Sequence, residues 1–241
     1  MSDTFFKRLV DDVDSVIARD PAARSRAEVI LCYPGFHAIL FYRLANMAWR
    51  NKFYLLGRFI SNVGKILTGV DVHPGATIGR RLFIDHATGL VIGETAEVGD
   101  DVTLYHDVTL GGTSLDKGKR HPTIEDGVIV GAGAQVLGPI RVGAGARIGA
   151  NAVVLSDVTK GATMVGIPAR MVMQREQMGD KEFRAYGTPL GEVPDPVARG
   201  FDNLRAQVAE LTQRIQDLES RIAAHDNVGP SRATGTEGEG S

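Results

Sequence analysis

Between residues 69 and 170 aliphatic side chains return at every sixth position. Stepping from Val72 gives Ile78, Ile84, Leu90, Ala96, Val102 and Val108, and the step resumes at Ile124 with Val130, Val136, Val142, Ile148 and Val154. Six suits neither the 3.6-residue helical period nor the two-residue alternation of a long half-buried strand. It fits a short strand plus a turn, repeated as one side of a coil, with three sides to a triangular rung. The pattern therefore predicts a prism of stacked parallel strands about 4.8 Å apart, with the period-six aliphatics inside and glycine or alanine at the corners. The register breaks once: ten extra residues separate Val108 from Ile124, "GGTSLDKGKRHPT" in outline. They are too polar for the interior and are expected to loop out over residues 113–123, carrying Lys117, Lys119, Arg120 and His121 to the surface.

The flanks follow other periods. Residues 1–68 show helical spacing, as in Phe6, Leu9, Val13, Val16 and Ile17, and predict an N-terminal helical domain. Pro21 disfavours helical geometry at Asp20 and so ends the first helix, while "YPGFHAILFYRLANMAWR" reads as a longer apolar helix holding His37 and Trp49 in core or interface positions. The β-helix domain is expected to run over residues 69–174, followed by a Pro- and Gly-rich linker over 175–196. Over residues 197–225 a heptad pattern takes over: Val197, Leu204, Leu211 and Leu218 at d alternate with Phe201, Val208, Ile215 and Ile222. Leucine at d and mostly β-branched residues at a favour parallel pairs, with Arg214 at g and Glu219 at the following e. The polar tail, residues 226–241, predicts disorder.

Composition narrows the function. With 27 basic and 29 acidic residues among 241, the formal charge of −2 gives no reason to expect nucleic acid or an anionic membrane as partner. The only cysteine, Cys32, rules out an internal disulfide and a multi-cysteine zinc site; its apolar neighbours in "VILCY" predict buried packing. No stretch reaches the eighteen or so apolar residues of a membrane span, and no leader opens the chain, so the cytoplasm is the expected compartment.

The acid–imidazole pair in "FIDHATG" stands out inside this aliphatic stretch. Together "DVHPGATIG", "DHATGLVIGETAEVGDDV", "VTLGGT", "RHPTI" and "GIPAR" resemble the serine acetyltransferases, over roughly residues 12–172. The hexapeptide repeat alone would imply only a left-handed parallel β-helix; "DHATG" and "GGT" followed by "RHP" are far more specific. The resemblance implies a fold that is mainly β with α, and direct transfer of acetyl from acetyl-CoA to the hydroxyl of L-serine in cysteine synthesis.

By that resemblance His86 is the catalytic base, with Asp71 of "VDVHPG" as the acid that orients it. Asp20 and Asp85 would take the amine and hydroxyl end of serine, and Arg120 and His121 its carboxylate. Gly112, Thr113, Ala132 and Ala150 would line the cofactor groove between prisms, with Arg147 near the phosphates and Lys160 or Arg170 assisting. A backbone N–H near Gly112 is a candidate oxyanion donor, His73 and His106 belong near the site or in the wall, and no metal is implied. The helical cap is shorter than in the long family members, which points to a homotrimer rather than a pair of trimers. Three heptad helices would then bundle, or the seam would join separate trimers. L-Cysteine would inhibit by occupying the serine site. Long members end in an isoleucine that enters O-acetylserine sulfhydrylase, and this different C-terminal sequence does not imply that complex.

Three rival readings make distinguishable demands. The first is another acyltransferase on the same prism, for a sugar or a different amino acid; a sugar would not need the charges of Asp20, Asp85 and Arg120. A zinc hydratase on the same prism would need three metal-reaching histidines, and the spacing of His73, His86, His106 and His121 lacks the close pair such sites use. A trimeric scaffold displaying the heptad helix would leave "DHATG" and "RHP" unexplained.

Overall fold

A computed structural model describes residues 5–174 and 196–226. The chain divides into two compact units, Met1–Val193 and Pro194–Ser241, each described by itself below. In the first, four helices precede the strands: α1 (Phe5–Arg19), α2 (Arg26–Cys32), α3 (Pro34–Arg50) and α4 (Tyr54–Thr68). Their ends follow local chemistry. Helix α1 stops before Pro21, and Ser25 caps α2 by accepting the Glu28 N–H at 3.2 Å. Pro34 opens α3, and Gly69, left-handed at φ 73°, closes α4 with its N–H on Lys65 O at 2.8 Å.

From Asp71 the described residues wind into fifteen short strands. The first coil holds β1 (Asp71–Val72), β2 (Thr77–Ile78) and β3 (Phe83–Ile84); the second β4 (Val91–Ile92), β5 (Glu97–Val98) and β6 (Thr103–Leu104). The third holds β7 (Thr109–Gly111), β8 (Thr123–Ile124) and β9 (Ile129–Val130); the fourth β10 (Gln135–Leu137), β11 (Arg141–Val142) and β12 (Arg147–Ile148). The last three are β13 (Val153–Val154), β14 (Ala162–Val165) and β15 (Arg170–Gln174). Every third strand stacks in parallel as far as β13, and β14 then follows β12, giving three faces: β1-β4-β7-β10-β13, β2-β5-β8-β11 and β3-β6-β9-β12-β14, the last closed by an antiparallel β15. This is a left-handed parallel β-helix with a helical cap. Its interior is the main core, from Val70 and Val72 through Val154 and Val158.

The register departs from the simple six-step in one informative way. Each side carries two inward residues, such as Val70 and Val72 or Ala96 and Val98, all buried. The strand position of Ile84 passes to Ile92, which pairs with Val72, and not to Leu90. Eight residues separate Ile84 from Ile92 and fourteen separate Leu110 from Ile124. Two of the ten extra residues therefore belong to the corner at His86 and eight to the loop.

The cap is fastened at several points. Val13, Val16, Val29 and Phe36 pack on Phe83 as a second core. The buried Asp12 carboxylate accepts from Arg43 Nη2 at 2.7 Å and from the Arg81 N–H at 3.1 Å, tying α1 and α3 to a prism corner. Tyr42 donates to Ala76 O at 2.8 Å and accepts from the Ile78 N–H at 3.1 Å.

Cys32 is exposed, contrary to the expectation of burial. Consecutive residues of a helix point about 100° apart, so an apolar run cannot all face inward; in α2 only Val29 is buried. The second unit holds one described helix, α5 (Pro196–Asp226), which contains the heptads. The rest of the linker and tail, 175–195 and 227–241, lies outside the described residues. No described helix is long and apolar enough to cross a membrane.

Candidate active site

His86 sits on the corner between β3 and β4, where the two extra residues are. His86 and Ala87 are both left-handed, at φ 60° and 59°, a costly conformation for residues with a Cβ. The regular corner positions above them, Asp107, Gly133 and Asn151, each need only one such residue. Ala87 turns inward and is fully buried while the His86 side chain projects, 63% exposed. Its Nε2 lies 3.8 Å from Asp85 Oδ1, and its ring meets that of His106 edge-on with centroids 5.7 Å apart.

Asp85 lies beneath the helical cap. Gly35, early in α3, approaches β3 so closely that a Cβ there would fall 2.2 Å from Ile84 O. That contact brings Tyr33 and Asp20 over the corner: Tyr33 donates its hydroxyl to Asp20 Oδ2 at 2.7 Å, and the Ala22 N–H holds Oδ1 at 2.8 Å. Burial and then the adjacent Asp20 push the Tyr33 phenol up to about 12. The Asp85 carboxyl is also raised, chiefly by burial, with His86 opposing and Asp20 adding to the rise. The result is a compact anionic patch beside an exposed imidazole. Asp71 begins β1 just past Gly69, to whose carbonyl the corner's Gly89 N–H bonds at 2.9 Å; its carboxylate accepts from Lys65 Nζ at 2.7 Å.

Arg120 and His121 lie elsewhere, where the loop rejoins the prism between β7 and β8. Thr95 anchors them. Its hydroxyl accepts the N–H groups of Arg120 at 3.0 Å and His121 at 3.2 Å. The Thr95 backbone N–H donates to His121 Nδ1 at 3.2 Å, which makes Nδ1 the acceptor and leaves the proton of the neutral ring on Nε2. Burial, with Arg120 adding to it, lowers the His121 pKa. The ring lies so close to Gly93 that a Cβ there would be 2.0 Å from Cδ2. Arg120 pairs with Glu94, whose carboxyl is thereby lowered. Lys119 bonds Thr95 O and Glu97 Oε1, both at 2.9 Å.

The residues expected to serve the cofactor divide between the same two edges. Gly112 and Thr113 are exposed at the base of the loop; a Cβ on Gly112 would lie 3.3 Å from His121 Nε2. Ala132 and Ala150 occupy the His86 edge, in one column with Thr88 and His106: the Asp107, Gly133 and Asn151 N–H groups bond to the carbonyls of Thr88, His106 and Ala132. Arg147 is half-buried at the start of β12 on the third face. Lys160 and Arg170 lie at a later corner and in β15.

This site has close relatives. Residues 121–156 match the bacterial transferase hexapeptide family model of six repeats. The chain is 50% identical over 218 residues to the serine acetyltransferase of Bacillus subtilis strain 168, covering 90% of this chain and 98% of that one. It is 52% identical over 201 residues to that of Mycobacterium tuberculosis H37Rv, covering 83% and 85%. The chain belongs to the serine acetyltransferases. Solved structures of the family agree in fold. The Neisseria gonorrhoeae enzyme in complex with serine is 43% identical with a TM-score of 0.68, covering 70% of this chain and 69% of that one. The Brucella abortus S19 enzyme in complex with coenzyme A is 42% identical at 0.69, covering 70% and 68%. A serine acetyltransferase in complex with cysteine is 44% identical at 0.68, covering 69% and 65%.

Two residues beside the candidate site residues escaped the reading of motifs. Thr95 and Glu94 hold the loop's basic residues; the signal was an acid and a hydroxyl in "GETA" on the coil below two cations. His106, expected near the site or in the wall, has a buried Nδ1 without a hydrogen-bond partner and lies beside the projecting His86. Among the described residues no group of three or more histidine, cysteine, aspartate or glutamate side chains could hold a metal ion.

Proposed function

We propose that His86 is the general base that moves acetyl from acetyl-CoA to the L-serine hydroxyl, giving O-acetylserine and CoA. The observation that carries this reading is the exposed imidazole on a left-handed corner, 3.8 Å from a carboxylate that Asp20 also faces. Serine's hydroxyl is a weak nucleophile at neutral pH. A neutral imidazole takes its proton as Oγ attacks the thioester carbonyl; the C–S bond then breaks and the thiolate recovers the proton from the ring. The transfer is direct, with no acetyl on the protein.

Asp20 and Asp85 supply the negative charge that suits serine's ammonium, next to the base. Asp71, on the same edge, is assigned to orienting the ring. Arg120 and the Nε2–H of His121 suit the carboxylate. These last two stand on a different prism edge from His86 within one chain. A second copy must therefore bring its loop edge against the first copy's His86 edge, and a ring of three closes that contact on itself. The same juxtaposition joins Gly112 and Thr113 to Ala132 and Ala150, whose small side chains leave room for the pantetheine arm. Arg147 is assigned to the phosphates. A relative binds serine and another coenzyme A, which supports both substrates.

L-Cysteine differs from serine by a thiol in place of the hydroxyl, and a relative binds it; here it is proposed to compete for the serine subsite. The deciding assay is thiol release from acetyl-CoA with L-serine, homoserine or sugars as acceptor. L-Serine should be preferred, His86→Ala should slow release by about a hundredfold or more, and cysteine should raise KM for serine without lowering kcat. Release unchanged in His86→Ala would remove the base from the account.

A further inference from the structure

We propose that α5 is a dimerisation helix, pairing in parallel and in register with α5 of a second copy of this chain. Leu204, Val208, Leu211, Ile215 and Leu218 hold five successive a and d positions, and each is between 54% and 57% exposed. They form one continuous apolar stripe, and α5 is the only described element of its unit, so among the described residues of that unit nothing covers it. The exposed Arg214 bonds within its own helix, to Glu210 Oε1 at 3.0 Å, at the side of the stripe.

The sequence of α5 specifies what fits. The stripe alternates at three- and four-residue steps, the spacing at which an identical helix interdigitates as knobs into holes. Flanking charges choose the direction. In a parallel pair each g residue faces the partner's e residue five positions on, so Arg214 meets Glu219, reciprocally on both sides. An antiparallel pair sets g beside g, bringing Arg214 against a second Arg214, and carries Leu204 to the opposite end of the partner's seam, at the level of position 222. Valine and isoleucine at the a positions of the stripe, with leucine at each d, select two strands over three. The inference concerns a surface outside the proposed active site and stands or falls independently of it.

The test uses the full-length chain with Cys32→Ser, which removes the only native thiol. In that background Leu204→Cys is oxidised and run on a non-reducing gel, in parallel with a mixture of Leu204→Cys and Ile222→Cys chains. The expected result is near-complete linking of Leu204→Cys chains into covalent pairs, lost when Leu211→Glu and Ile215→Glu are added, with thiol release from acetyl-CoA unchanged throughout. Linking only in the mixed sample means antiparallel pairing and overturns the proposal. No linking in either sample, or linking that survives the two glutamates, also overturns it. About a third of the chains left unlinked after exhaustive oxidation would mark a three-stranded bundle and overturn the two-stranded assignment.

Discussion

His86 owes its position to two residues inserted at one prism corner, and the cost of two successive left-handed residues is met by Ala87 filling the interior as the imidazole turns out. Replacing His86 by alanine should lower kcat by about 10²- to 10⁴-fold, the usual contribution of a general base, with KM for serine changed far less. Steady-state thiol release measures both. Asp85 gives a pH signature. Its pKa is raised by burial, so the folded protein holds this proton to a higher pH than the unfolded chain does. The ionised form is what would bind an ammonium, so serine binding should weaken as pH falls through that raised value. Asp85→Asn should remove this acid limb from the KM profile and raise KM at neutral pH. By linkage, a carboxyl with a raised pKa destabilises the fold once ionised, so the same variant should melt at an equal or higher temperature at pH 7. A lower KM or a clearly lower Tm would contradict the assignment.

At the scale of elements, the loop's usefulness depends on Thr95, whose hydroxyl receives two backbone N–H groups from the neighbouring coil. Thr95→Val keeps the shape and leaves those donors unpaired, at about 1–3 kcal/mol for such a loss. It should raise KM for serine more than it lowers kcat and speed tryptic cutting at Lys117 and Lys119, and Thr95→Ser should restore both. His121 adds a pH dependence to the same anchor. Its pKa is lowered on folding, so the unfolded chain takes up the proton first; the anchor is intact above the ordinary histidine value near 6.5 and weakens as pH falls below it. Tryptic cutting should therefore accelerate on mild acidification. The prism itself was legible in the sequence because one period governs it. Its register was not, since both inward positions of each side carry small or aliphatic residues and a two-residue slip leaves the period intact. Cys32 was misplaced because an apolar run says nothing about which face of a short helix meets the core. The closeness of Asp20 to Asp85 rests on Gly35 against Ile84, a contact between segments that no local pattern joins.

At the scale of the molecule, the resemblance named both halves of the site, but the topology of three faces separates them. His86 lies between β3 and β4, whereas Arg120 and His121 lie between β7 and β8, on another edge. The central claim is that two copies complete one site, and mixing tests it directly. Chains carrying His86→Ala and chains carrying Arg120→Ala should each be nearly inactive alone. Co-expressed at equal levels and assembled together, they should recover activity at about a quarter of the interfaces, those pairing an intact His86 edge with an intact loop edge. Thiol release from acetyl-CoA with L-serine is the measurement. Recovery toward that fraction of wild-type turnover is the predicted result; mixed assemblies no more active than the two variants apart would contradict the account.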